Sequence, residues 1–262
     1  MKLTLKVVDA TGMVLAQTSA DDEAILVYRS EYAQGDRIVI ETTEPCHLDI
    51  SLDAGMPSAR VFMAGTDFSL PVPFGATRKT YPPQAFLGNL HRISVCHVDQ
   101  QEAKTRRNLT FNPFDHHENK TLFPHASANV ETRGEAVFAA RNAIDGEKAN
   151  TDHGFWPYTS WGINQDPTAA LTLDFARPVQ IDQVTLYIRA DFPHDAWWSE
   201  ASLTFSDGHT LTVPLLKSGS AQVFAMSPRI VEWVRVHDLK KADDPSPFPA
   251  LTQLEIWGSD VA

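Results

Sequence analysis

The sequence predicts an all-β protein built as two β-sandwich domains. Three observations carry this. The chain has 262 residues, enough for two cores of ordinary size and too few for three. Apolar and polar residues alternate in short runs, the period of two that belongs to half-buried strands. Those runs are punctuated by Gly, Pro, Asp and Asn on both sides of a polar stretch, and only one segment has helical spacing.

The elements follow in order. Leu3, Leu5 and Val7 share one parity while Thr4 and Lys6 take the other, so the chain opens with a strand. Further β-type runs cover residues 24–28, 37–41, 47–52, 60–63 and 90–98, completing a first domain over 1–98. Pro71, Pro73, Pro82 and Pro83 break its middle into a long loop or an edge segment. Residues 99–122 have no sustained apolar period and read as a connector. Its run Asp115, His116, His117 and Glu118, with His125 nearby, fits a solvated linker better than a metal site, because adjacent imidazoles in extended chain point apart. The second domain spans 123–262. A short helix is expected over EAVFAARNAIDG, where Val137, Ala140 and Ile144 share a face and Gly146 supplies the stop. Strands are expected at 170–175, 179–188, 201–205, 210–215, 221–224, 230–236 and 251–257, with a hairpin at Ser206-Asp207-Gly208.

Composition narrows the function. Hydrophobic residues make up 43% and charged residues 21%, the balance of a folded globular chain. A net charge of −11 repels a phosphate backbone, and the only cationic run is KTRR at 104–107, so no nucleic acid is expected. No apolar run is long enough to insert in a membrane, and no export signal is visible, so a cytoplasmic location is expected. Cys46 and Cys96 read as free thiols. The acceptor-like triplets at Asn108 and Asn119 matter only in a secreted chain. A homo-oligomer is compatible with all of this.

From about residue 124 to 258, the order of features resembles the galactose-binding-like superfamily, including discoidin (F5/8 type C) domains and family 32 carbohydrate-binding modules. The features are Ala143-Ile144-Asp145-Gly146, Ser160-Trp161, the LTLDF run at 171–175, the run at 179–187 and the closing run at 251–258. The resemblance implies a jelly-roll fold and a ligand site at the loop tips. It also implies a structural Ca2+ held by Asp145 and Glu255, with Asn150 or Thr151 adding an oxygen, since calcium gathers six to eight oxygens. The stretch after Asp145 is longer than usual for the family and contains His153.

Loop tryptophans suggest the ligand. Trp156, Trp161, Trp197 and Trp198 sit among Pro, Gly, His and Asp rather than in strand runs. Aromatic faces suit the C–H faces of sugar rings, and neighbouring polar groups fix hydroxyls. The expected site is Trp156, Tyr158, Trp161 and Asn164 from one loop, with Arg189, Asp191, Phe192, His194, Asp195, Trp197 and Trp198 from another. One of the Trp197–Trp198 pair is expected to point inward, and Trp233 and Trp257 are expected to pack. The function expected is non-catalytic carbohydrate binding. A glycan-active hydrolase or lyase using Asp152, His153, His194 and Asp195 is the alternative, as is a protein-binding scaffold.

Overall fold

A computed structural model describes residues 1–190 and 196–261. The first half contributes β1 (Lys2–Val8), β2 (Val14–Asp21), β3 (Glu23–Tyr28), β4 (Arg37–Thr42), β5 (Cys46–Ser51), β6 (Ala59–Met63), β7 (Asp67–Pro71) and β8 (His91–Val98). Alternation decides their faces: Leu3, Leu5 and Val7 are fully buried, and Ile38 and Ile40 on β4 lie beside them. The proline-broken stretch between β7 and β8 holds one four-residue helix, α1 (Gly75–Arg78). One sheet runs β2-β1-β4-β7, and a second contains β6-β5-β8-β3. Their inner faces share one core that includes Leu48, Ile50, Phe68, Ile93 and Val95. This is the first sandwich.

The second half contributes β9 (Arg107–Asn108), β10 (Leu122–Phe123), β11 (His125–Ala128), β12 (Trp161–Gly162), β13 (Leu171–Ile188), β14 (Trp198–Phe205), β15 (Thr210–Pro214), β16 (Gln222–Lys241) and β17 (Ala250–Asp260). Two strands expected at 170–175 and 179–188 are one long strand, β13. Its first residues, 171–174, lie between β11 and β16; from Val179 onward it lies between β16 and β17. The ladder breaks between Asp174 and Val179, where Ala176 takes φ 53°, and there the strand passes from one layer to the other. One layer is therefore β11-β13-β16-β14-β15 and the other β16-β13-β17, enclosing Leu173, Ile181, Leu203, Val234 and Ile256. The hairpin at 206–208 forms as expected: Gly208 has φ 85° and its N–H donates to the Phe205 carbonyl at 2.9 Å.

Two expectations fail for identifiable reasons. The helical stretch is instead a series of 3-10 turns, Thr132–Gly134, Ala136–Phe138 and Ala140–Ala143, because Ala139 is extended (φ −70°, ψ 153°) and interrupts any continuous helix. The stretch 99–122 is not a solvated linker. It holds a second four-residue helix, α2 (Gln100–Ala103), and then serves both sandwiches. β9 pairs with β17, Leu109 enters the second core, Phe114 and Leu122 enter the first, and β10 pairs with β6.

Asp115 explains how so polar a run can be buried. Fully inaccessible, its carboxylate accepts from Asn119 Nδ2, from His125 Nδ1 and from the Ala126 N–H, each at 2.8 Å. Arg141 donates to the Asp115 and Pro113 carbonyls, both at 2.8 Å, and stacks over Tyr81 of the first half at 4.6 Å. Gly146 is required beside this junction: it has φ 93°, and a Cβ there would lie 2.4 Å from the Phe111 ring.

A second polar tie joins the halves at the end of β17. Asp260 accepts from Arg107 at 2.6 Å, pairs with Arg177, and lies 3.0 Å from His47 of the first sandwich. Burial alone would raise its carboxyl, but His47 and Arg177 hold it well below the usual carboxylate range. A carboxyl lowered by folding adds stability above its unfolded pKa of about 3.9, and that stability is lost as pH falls. Asp260→Asn should therefore cost about 3 kcal/mol at neutral pH. Urea unfolding of both proteins across pH 2–7 checks it, with the gap narrowing as the solution is acidified.

Candidate functional site

A pocket of about 200 Å³ opens among the loops of the second sandwich that follow β12 and β13 and precede β17. Phe138 and Phe248 supply its rings, Ile163 and Pro249 further apolar wall, and Arg133, His153, Asn164, Gln165 and Arg189 its polar groups. Local backbone rules build it. Gly162 allows close approach, since a Cβ there would meet Thr132 Oγ1 at 2.6 Å. Asn164 and Gln165 both take left-handed backbone (φ 51° and 60°), a tight turn anchored by the Asn164 N–H donating to Thr132 Oγ1 at 2.9 Å. Arg189 is 4% exposed; its backbone N–H donates to the Ala250 carbonyl at 2.9 Å and its Nη2 to the Phe248 carbonyl at 2.5 Å. Arg133 lies over the Phe138 ring at 5.5 Å while pairing with Glu135. Phe248 is 38% exposed, so its ring is open to a ligand.

The sequence-predicted residues divide. Asn164 and Arg189 line this pocket. Trp161 and Trp198 do not: they are 0% and 1% exposed in the second core, and the Trp161 Nε1 donates to the Val130 carbonyl at 3.0 Å. Neither ring is open to a ligand, so their assignment is corrected to packing. Trp197 is half-buried against the same core. Trp156 turns to the other half, its N–H donating to the Lys79 carbonyl at 2.9 Å and its Nε1 to Glu147 at 2.7 Å. Tyr158 is half-buried beside it in sequence and does not line the pocket. Asp191, Phe192, His194 and Asp195 lie outside the described residues. Asp152 is exposed and accepts from the His153 N–H at 2.8 Å, leaving His153 alone of that pair in the lining. Sequence reading missed Thr132, Phe138 and Phe248. Phe248 carried a signal, an aromatic within PSPFPA, where prolines exclude a strand and leave the ring in a loop.

The residues implied for calcium are arranged differently from what that ion needs. Glu255 is buried, with one oxygen 2.5 Å from the Lys148 ammonium and the other accepting from Trp257 Nε1 at 3.0 Å. Lys148 also lies 4.9 Å from the Tyr187 ring centroid. Burial works against its ammonium, but Glu255 outweighs this and raises its pKa. Asn150 donates its amide to the Gly219 carbonyl at 2.7 Å, and Thr151 is exposed. Asp145 accepts from the Glu147 N–H and the Thr159 hydroxyl, and burial pushes its carboxyl up to about 7. Among the described residues no three His, Cys, Asp or Glu side chains gather as a metal site. A hard dication needs several free oxygens. Here a lysine ammonium already neutralises the carboxylate on the last strand, so the donor set does not fit calcium.

The second half is thus a β-sandwich with a small, mainly apolar pocket among its end loops. Residues 123–243 match the model of a family described as a domain of unknown function (DUF7402). No curated protein matches the sequence. Among solved structures, the chain is similar to chitosan-binding module 1 from a chitosanase/glucanase of Paenibacillus sp. IK-5, with 20% identity and TM-score 0.41 over 58% of this chain and 99% of that one. It is also similar to a Streptococcus pneumoniae fucose binding module, with 15% identity and TM-score 0.40 over 57% and 96%. A family 32 module from C. perfringens, solved with galactose, gives 17% identity and TM-score 0.39 over 50% and 91%.

Lys148→Met keeps the aliphatic stem and removes the charge, leaving Glu255 without its cation. The melting temperature should fall by about 3–6 °C, while calcium or a chelator leaves the wild type unchanged. Scanning calorimetry of both proteins in each buffer checks it. A calcium-dependent rise in the wild type is the contrary result.

Proposed function

We propose that this chain is a non-catalytic carbohydrate-binding protein whose end-loop pocket receives one sugar ring. The observation that carries the reading is the exposed Phe248 ring beside guanidinium, imidazole and amide groups in one small cavity, with buried Phe138 forming part of its apolar wall. Sugars present an apolar C–H face and an edge of hydroxyls, so a site for them needs both kinds of surface at once. Size agrees: drug-sized ligands occupy about 300–1,000 Å³, and a cavity of about 200 Å³ suits a single ring. Arg189 is fixed by the Phe248 carbonyl, which orders its guanidinium against the loop that carries the ring. Less side-chain freedom then remains to be lost on binding.

A glycan array followed by calorimetric titration tests this. Phe248→Ala should weaken binding of the selected sugar about ten- to a hundredfold, corresponding to about 1–3 kcal/mol, with little change in melting temperature. Trp198→Ala should instead destabilise the fold by about 3–5 kcal/mol. An array without a ligand, or full affinity in Phe248→Ala, counts against the pocket.

A further inference from the structure

The outer face of the five-stranded layer carries a second concavity, separate from the pocket. It is a groove of about 450 Å³ between that face and the loop after β12. Val234 and Val236 of β16 point into the core, which sends Trp233, Arg235 and His237 to the opposite face. Trp233 is half-buried, so it is not the packing residue its strand context suggested; it lines the groove with Arg235 and His237. Pro167 and Thr168 form part of the far wall.

The polar groups there are ordered. Thr204 Oγ1 lies 2.8 Å from both Thr210 Oγ1 and His237 Nε2, and His237 Nδ1 lies 3.0 Å from the Asp238 carboxylate. The imidazole thus lies between a hydroxyl and a carboxylate. Asp238 itself is held at φ 49°, a left-handed conformation that non-glycine residues adopt infrequently. Arg235, opposite Thr172 on one side and Thr204 on the other, is exposed and makes no ion pair among the described residues. One guanidinium and one carboxylate leave the lining without net charge.

We propose that this groove binds an extended neutral polysaccharide, with a sugar ring stacked on Trp233 and hydroxyls held by Arg235, His237 and the threonine hydroxyls. An uncharged lining favours an uncharged ligand, and an indole beside ordered donors and acceptors matches alternating C–H faces and hydroxyl edges. The loop containing Asn164 and Gln165 on the pocket side carries Pro167 and Thr168 on the groove side. A chain along the groove therefore passes within one loop of the pocket. The groove has its own residues and does not depend on what the pocket holds.

Native gel electrophoresis in the presence of laminarin, galactan, galactomannan or polygalacturonate tests this on the full chain. At least one of the three neutral polymers should retard the wild type. Trp233→Ala and the exposed-site variant Arg235→Ala should each weaken that retardation tenfold or more, whereas Phe248→Ala should retain it. Melting temperatures separate a lost surface from a lost fold, and Arg235→Ala keeps the test open should Trp233→Ala unfold. The proposal is overturned if no neutral polymer retards the wild type, if polygalacturonate alone does so, or if folded Arg235→Ala is retarded as strongly as the wild type.

Discussion

Much of the architecture hangs on one buried anion. Asp115 has no solvent contact, and its carboxylate is held by three N–H donors as the chain leaves the first sandwich at β10 and enters the second at β11. An ionised group inside a protein is tolerable only when its lone pairs are satisfied, so this requirement fixes the turn between the two sheets. The constraint propagates. His117, two residues on, lies 2.9 Å from Glu131, and Glu131 accepts from the Ala140 N–H at 2.8 Å. Those contacts bracket the turn that carries Thr132 and Phe138 into the pocket. The pocket wall is therefore positioned from the junction between the halves.

The strands were legible because a half-buried sheet imposes a period of two that needs only local sequence. What escaped was long-range. The donors to Asp115 follow within a few residues, but nothing near Arg141 in sequence shows that the Asp115 and Pro113 carbonyls and the Tyr81 ring will satisfy it, so a run of polar residues read as solvated. The tryptophans failed for a related reason. Trp161 and Trp198 follow loop-like sequence yet begin strands whose inner face is the core, while Trp233 lies in a strand but on its outer face. Composition near an aromatic residue says little about which side of a sheet it occupies. Of the expected ligand residues, Asn164 and Arg189 reached the pocket. The rings beside them came from a stretch expected to be helical and from residues 245–250, for which no element was expected.

Lys148 shows how a side chain can close the end of a sandwich. Joining the loop after Ile144 to the final strand requires positive charge beside Glu255, and a covalently attached ammonium supplies it. Gly146 reinforces the same closure by donating its N–H to Gln253 on that strand at 3.2 Å. An ion recruited from solution makes such a joint conditional on the medium; a side chain makes it part of the polypeptide.

The placement of β17 bears on what counts as a heritable unit here. The matched family region ends at residue 243, yet β17 begins at Ala250, lies beside β13 along most of one layer and carries Glu255 and Asp260. A gene segment restricted to 123–243 would encode a sandwich with one layer stripped to two strands, a bare hydrogen-bonding edge along β13 and an uncovered apolar interior. Exchange of this module between genes can preserve its fold only if the breakpoints fall outside the family boundaries, carrying along the final strand and the buried run before residue 123.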